Sequence, residues 1–140
     1  MTAIENFTQF YQQLNNKDIS GLPNVYSHDI EFIDPIATHH GIDEVTFYFS
    51  KLFKSTRSCS FVITKTQSSG SESFVVEWQM RFVSKKLSKK KQIVVDGVTL
   101  LKTRENLVVY HRDYYDMGQL VYENIPILGQ LVKKIKEQMK

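Results

Sequence analysis

Residues 32–41 read Phe-Ile-Asp-Pro-Ile-Ala-Thr-His-His-Gly and mark the point where an apolar strand pattern stops. Side chains two apart on a strand point the same way, so Asp34 is predicted to project with Ile30 and Phe32. Pro35 removes a backbone donor and ends the strand. Because a carboxylate among apolar side chains is costly, Asp34 indicates either a turn cap or a group kept for chemistry.

Amphipathic helices are predicted on both sides of this stretch. Thr2 and Glu5 have capping-box spacing at the start of a first helix. A short second helix around Pro23 precedes the strand. After Gly41, a third helix carries an apolar stripe at helical spacing: Ile42, Val45, Phe49, Leu52 and Phe53.

From Ser58 onward the pattern changes to the alternation that is typical of strands. Every second residue is apolar in its clearest stretch: Phe74, Val76, Trp78, Met80 and Phe82. Turn signals then separate four strands in a consecutive antiparallel meander, the last from Leu107 to about Tyr115. The sequence therefore predicts an α+β fold, a curved antiparallel sheet shaped like a cone, with N-terminal helices on its concave face.

Composition limits the function classes. A chain of 140 residues with 41% hydrophobic content suits a single domain. We take residues 1–116 as its compact part and residues 117–140 as a C-terminal extension of it. The net charge of +3 is too small to indicate a nucleic-acid partner, and the lysine-rich Lys85–Lys91 tip is interpreted as solvated. With a lone Cys59, no evident signal peptide and no membrane-crossing apolar run, we expect a cytoplasmic protein.

The extension carries a basic amphipathic helix. Its apolar stripe consists of Leu128, Leu131, Val132, Ile135 and Met139. Packing on the same domain or across a dimer is the favoured interpretation. Peripheral contact with a membrane interface is the less favoured alternative.

Several of these features together resemble the nuclear transport factor 2-like superfamily, and most closely its SnoaL-like and ketosteroid isomerase-like bacterial members. They are Leu14-Asn15-x-x-Asp18, Phe32-x-Asp34-Pro35, the helix opened by a glycine, and the final strand ending in residues 111–116. The resemblance covers about residues 2–116. It implies a pocket for a small apolar molecule, a homodimer, and chemistry that ranges from isomerisation to none.

The resemblance also implies residue roles. Asp34 matches the isomerase base that moves a proton next to a carbonyl, and it is the leading candidate base. The position of the oxyanion-binding tyrosine falls on Phe10, with Tyr11 expected to face elsewhere. The second oxyanion donor falls at about Gly97, one residue from Asp96, and a one-residue slip reverses the face. Strict ketosteroid isomerase activity is therefore not expected.

His111 and Asp113 form a second candidate constellation. They share parity with Leu107 and Val109, so all four are predicted to point to one side of the last strand. Asp34 or Asp113 would remove a proton while His111 donates to oxygen. For the histidine and Asp113, a structural hydrogen-bonded pair is an equal alternative.

The remaining predicted site residues would form the pocket wall. We assign substrate contacts to six side chains: Tyr26, Phe53, Trp78, Met80, Phe82 and Tyr115. His39 and His40 are expected to be exposed loop residues, and we predict no metal and no cofactor. Two functions stay open: a cofactor-free isomerase, cyclase or dehydratase acting on an apolar carbonyl compound, or a noncatalytic module that binds a ligand or a protein.

Overall fold

The computed structural model of the chain describes residues 1–85 and 91–140, except for the side chain of Asn16. Its helices are α1 (Ala3–Gln12), α2 (Leu22–Val25), α3 (Ile42–Ser55), α4 (Met117–Leu120) and α5 (Leu128–Met139). Its strands are β1 (Tyr26–Ile33), β2 (Thr38–His40), β3 (Thr56–Gly70), β4 (Ser73–Ser84), β5 (Gln92–Arg104) and β6 (Leu107–Tyr115). The predicted α+β class is confirmed. Residues 86–90 of the predicted lysine-rich tip lie outside the described residues.

The six strands of the described chain form one sheet in the order β2-β1-β6-β5-β4-β3. β3 to β6 make the predicted antiparallel meander. The sheet as a whole is nevertheless mixed, because β1 pairs with β6 in parallel. The prediction of a wholly antiparallel sheet is wrong at this pair. A long connection joins these two strands, so no hairpin turn dictates their relative direction.

β6 contains a bulge, so its side chains do not alternate along the whole strand as predicted. Thr103 pairs with Val108 whereas Lys102 pairs with Tyr110, so Val109 is the extra residue. An extra residue reverses the alternation of side chains on either side of it. Val108 is accordingly buried and joins the core. The predicted grouping of Leu107 and Val109 with His111 is therefore wrong, whereas His111 and Asp113 do lie on one side.

The helices pack over one face of the sheet as the sequence patterns predict. Thr2 and Glu5 form the capping box that starts α1, with each side chain bonded to the other residue's backbone amide. The apolar stripes of α1 and α3 meet the inward side chains of the strands in one buried cluster. Ile30, Phe32 and Asp34 are all buried, which confirms their predicted common direction.

Gly97 leaves room for the indole ring of Trp78 on the inner face of the sheet. It pairs with Trp78 across β4 and β5. A Cβ atom at this position would lie 2.3 Å from two carbons of the indole ring. Because glycine has no side chain, Trp78 lies flat across β5 and extends toward Tyr115, with ring centroids 6.4 Å apart.

The C-terminal helix α5 packs on its own domain, but through a different face from the apolar stripe that the sequence predicted for this contact. α5 contacts the short 3₁₀ turn Tyr122–Asn124, and Gly129 is its one buried residue. A Cβ at Gly129 would lie 2.5 Å from the Glu123 carbonyl oxygen, so the close approach requires glycine. Leu131, Ile135 and Met139 stay exposed. No helix among the described residues is long and apolar enough to cross a membrane.

Candidate functional site

A cavity of about 550 Å³ lies between α1, α3 and the inner face of the sheet. This volume is in the range of small-molecule sites in proteins. Its wall is mainly aromatic and includes Phe7, Phe32, Phe49, Phe61, Trp78 and Phe82. Several polar side chains interrupt that wall, and Asp34, Thr99, His111 and Asp113 are among them. The structure therefore brings the three predicted acid/base residues to one apolar cavity.

A continuous chain of hydrogen bonds runs behind and along this wall. The Trp78 indole donates to the Thr99 hydroxyl at 2.7 Å, and that hydroxyl donates to Asp113 Oδ1 at 2.5 Å. His111 Nε2 lies 2.7 Å from the same carboxylate oxygen. On its other side, His111 Nδ1 lies 2.9 Å from the hydroxyl of Tyr26.

The chain ends at Tyr11, whose hydroxyl lies 2.7 Å from that of Tyr26. Tyr11 lines the cavity, whereas Tyr26 lies behind it. The chain therefore connects two groups that face the cavity, the carboxylate of Asp113 and the phenol of Tyr11.

The donors in this chain follow from the chemistry of its members. A carboxylate oxygen only accepts, so His111 Nε2 carries a proton and donates to Asp113. In the neutral imidazole, Nδ1 accepts from Tyr26, which in turn accepts from Tyr11. In the imidazolium, both of these bonds reverse direction. The network is thus satisfied in two protonation states that differ by one proton.

His111 is buried and hydrogen-bonded on both sides, so it is not free to bond to a substrate. Both of its ring nitrogens are occupied, and only 1% of its surface is exposed. Phe32 stacks on the ring with centroids 4.0 Å apart and an interplanar angle of 17°. Asp113, in contrast, receives its hydrogen bonds from described residues only at Oδ1. The second carboxylate oxygen, Oδ2, is left for the cavity.

Asp34 combines the two interpretations that its sequence context allowed. Its Oδ1 accepts from the backbone amides of Ile36 at 2.8 Å and Ala37 at 2.9 Å. This is the geometry of a turn cap. The same side chain lines the cavity, so the carboxylate is both a structural cap and part of the site.

Tyr48 and Tyr115 add two phenols to the cavity wall. Burial raises the pKa of both, and the negative charges of Asp34 and Asp113 raise it further. Tyr48 is partly exposed, but it borders the cavity. The two hydroxyls therefore stay protonated at neutral pH and are available as hydrogen-bond donors.

The structure separates the predicted contact residues into two groups. Trp78, Met80, Phe82 and Tyr115 line the cavity. Tyr26 and Phe53 do not, because Tyr26 bonds behind His111 and Phe53 packs beside Phe49 in the core.

Other cavity residues were not predicted from the sequence. Tyr11 was expected to face elsewhere, yet α1 is buried on a wide face that includes both Phe10 and Tyr11. His39 was expected to be exposed, but it lies in β2, packs on Tyr48 at 4.9 Å and lines the cavity. Nothing in the sequence distinguishes Thr99 or Tyr48 as a site residue, because each lies within the apolar pattern of its strand or helix.

The Asp96 carboxylate does not reach the cavity. It accepts from the side-chain amides of Gln79 and Gln119, both at 3.1 Å, on the outer face of the sheet. The one-residue offset from Gly97 therefore reverses the face, as predicted. Within residues 1–85 and 91–140, no group of three His, Cys, Asp or Glu side chains is placed to hold a metal ion.

Comparison with known families agrees with this architecture. A family model described as a SnoaL-like domain matches residues 7–111, which is more than half of the chain. The chain belongs to the SnoaL-like domain family. This SnoaL-like protein has no match among curated proteins.

Solved structures share its fold at low sequence identity. A ketosteroid isomerase-like protein from Catenulispora acidiphila DSM 44928, in complex with trimethylamine, is 18% identical with a TM-score of 0.72, covering 87% of this chain and 90% of that one. An NTF2-like protein of unknown function from Burkholderia pseudomallei K96243 is 16% identical with a TM-score of 0.75 over 85% and 94%. A candidate SnoaL-like polyketide cyclase from Jannaschia sp. CCS1 is 14% identical with a TM-score of 0.74 over 89% and 92%. These likenesses show the fold of the SnoaL-like protein.

Proposed function

We propose that this protein is a cofactor-free isomerase, cyclase or dehydratase that moves a proton on an apolar carbonyl compound. The observation that carries the proposal is the placement of Asp34, His111 and Asp113 on one apolar cavity of ligand size. An enolisable ketone with an apolar ring system matches that wall in size and polarity.

Asp113 is the proposed base. Thr99 and His111 fix its Oδ1, which leaves Oδ2 to take a proton from a carbon next to the carbonyl. His111 is a positioning residue in this scheme, since both of its nitrogens are engaged.

The phenols of the cavity are the proposed donors to the carbonyl oxygen. Tyr11, Tyr48 and Tyr115 all line the cavity. An enolate needs a hydrogen-bond donor, and one well-placed donor is typically worth about 3–4 kcal/mol. Asp34 is the second carboxylate of the cavity. Burial is the main reason that the pKa values of Tyr48 and Tyr115 are raised, and the charge of Asp34 raises them further.

Native mass spectrometry of the purified protein, followed by extraction and identification of any bound compound, tests this proposal. A retained apolar carbonyl compound that the wild type converts, and Asp113→Asn does not, supports it. A retained compound that stays unchanged in both proteins would instead support the alternative function, a noncatalytic ligand-binding module.

We further propose a homodimer that forms through the outer face of the sheet. This face leaves apolar side chains in solvent, including Val62, Val94, Leu100 and Tyr114. A second copy that covers these side chains would remove their apolar surface from water. Sedimentation of the wild type as a dimer and of Leu100→Glu as a monomer supports the dimer; a monomeric wild type contradicts it.

A cytoplasmic location is also proposed. Its support is the single Cys59, which is buried and free, as suits a reducing compartment. Cell fractionation that recovers the protein outside the cytoplasmic membrane would contradict this location.

A further inference from the structure

The C-terminal helix α5 (Leu128–Met139) presents its apolar stripe away from the domain. Leu131 is 53% exposed, Ile135 48% and Met139 80%. The reason lies in Gly129, which sits about 100° around the helix from Leu128 and packs against the Glu123 backbone. Lys136 strengthens this docking through its ion pair with Glu123 at 3.0 Å. The face that docks is therefore the small glycine face. Of the five stripe side chains, Val132 is half-buried and the other four are exposed.

The residue that precedes the helix extends this apolar surface. Ile127 has φ 72° and ψ −58°, and the Leu128 amide donates to the Pro126 carbonyl at 2.9 Å. This is a classic γ-turn, which is rare and strained, and more so for a β-branched residue. The strained backbone holds a side chain that is 80% exposed. Backbone strain that keeps an apolar side chain in water is difficult to explain without something that covers that side chain.

The charge of the helix indicates what that partner is. Residues 128–140 contain four lysines and one glutamate. On the helical wheel Lys134 lies on one flank of the stripe and Lys136 and Lys140 on the other, with Lys133 toward the far side. A second copy of the same helix would bring like charges together. An anionic lipid surface accepts the apolar stripe among its acyl chains and the lysines among its headgroups.

We propose that α5, together with Ile127, is a docking element for anionic membrane surfaces. The apolar stripe lies in the interface plane, and Lys134 and Lys140 on its two flanks contact acidic headgroups, while Lys136 stays paired with Glu123. The helix follows closely after Leu120 and Val121, which line the cavity. Membrane contact would thus be made next to the site, and it does not depend on which reaction the cavity performs.

Vesicle flotation with the full chain tests the proposal. Vesicles of equal parts phosphatidylglycerol and phosphatidylcholine should bind the protein, and pure phosphatidylcholine should bind it weakly. The double variants Leu131→Glu/Ile135→Glu and Lys134→Glu/Lys140→Glu should each weaken binding at least about tenfold, and high salt should do the same. The charge-matched control Lys65→Glu/Lys91→Glu, at exposed positions outside the helix, should bind like the wild type.

Three results would overturn the proposal. The first is a wild type that fails to float with anionic vesicles. The second is a control variant that loses as much binding as the helix variants, which would indicate general charge attraction. The third is that Leu131→Glu/Ile135→Glu converts a dimer into a monomer in sedimentation, which would make a second copy the partner of the stripe. Far-ultraviolet circular dichroism of each variant establishes that the domain is folded.

Discussion

His111 Nε2 and Asp113 Oδ1 are 2.7 Å apart, and the imidazole between Asp113 and Tyr26 links a cavity carboxylate to a buried tyrosine. The partners of this pair come from distant parts of the chain, because Tyr26 lies on β1 and Thr99 on β5. The parallel pairing of β1 with β6 places Phe32 directly opposite His111 in the register. The sheet topology therefore assembles the site.

Replacing His111 should destabilise the fold. His111→Asn removes a fully buried ring and leaves Tyr26 and Asp113 without their shared partner. We expect a loss of about 2–4 kcal/mol in the free energy of unfolding, measured by urea denaturation. His40→Asn is the control, because His40 is exposed and its side chain is outside the network. A loss below about 1 kcal/mol for His111→Asn would contradict the role of the network in stability.

A methyl group at Gly97 should displace the tryptophan. Gly97→Ala places a Cβ where it would be 2.3 Å from the indole, so Trp78 must move toward the cavity or the strands must separate. We expect destabilisation of about 1–3 kcal/mol and a shifted fluorescence maximum of Trp78. Gly70→Ala is the matched control, since its nearest contact is an ordinary 3.8 Å. Unchanged fluorescence in Gly97→Ala would show that the indole does not lie on this glycine.

Alkaline pH should unfold the protein through its buried phenols. Burial raises the pKa of Tyr11 and Tyr26 well above the ordinary value of 10.0. Above pH 10.0 the unfolded chain therefore loses phenolic protons that the folded protein keeps. Stability is fully present below that pH and falls as the pH rises, by up to about 1.4 kcal/mol per pH unit for each such tyrosine.

Urea denaturation across this pH range, with tyrosinate absorbance as a second signal, checks that slope. Tyr11→Phe should make the decline with pH shallower, because it removes one of the shifted groups. A free energy of unfolding that stays constant above pH 10.0 would contradict the burial of these two phenols.

Variants of Asp34 should test its structural role as the cap of the turn that follows β1. Asp34→Asn keeps an oxygen that accepts from the amides of Ile36 and Ala37, so its stability should stay close to that of the wild type. Asp34→Ala removes both bonds and should cost about 1–3 kcal/mol in chemical denaturation. Equal stability of Asp34→Ala and the wild type would show that the turn does not depend on the cap.

Local patterns predicted most of the elements. The capping box of Thr2 and Glu5, the stripe of α3 and the alternation around Trp78 each depend on residues near one another in sequence, and each is confirmed. Asp34 was placed on the correct side of β1 because parity needs only neighbouring residues.

What sequence patterns missed depends on distant pairing or on small irregularities. The bulge at Val109 shifts the parity of β6, and no local signal marks it. The bond between Tyr11 and Tyr26 joins a helix to the first residue of β1, and no local pattern predicts that contact. The outward stripe of α5 follows from one close approach at Gly129, which helical periodicity alone does not reveal.

Deuterium incorporation from heavy water into a panel of apolar cyclic ketones tests the central claim most directly. The panel makes the test independent of the natural substrate, and mass spectrometry measures exchange next to the carbonyl. The wild type should catalyse this exchange, and Asp113→Asn should slow it by about 10²–10⁴-fold. Asp96→Asn, the same change on the outer face, should leave the rate unchanged. Exchange by the wild type no faster than in buffer, or equal rates for wild type and Asp113→Asn, would contradict the assignment of Asp113 as the base.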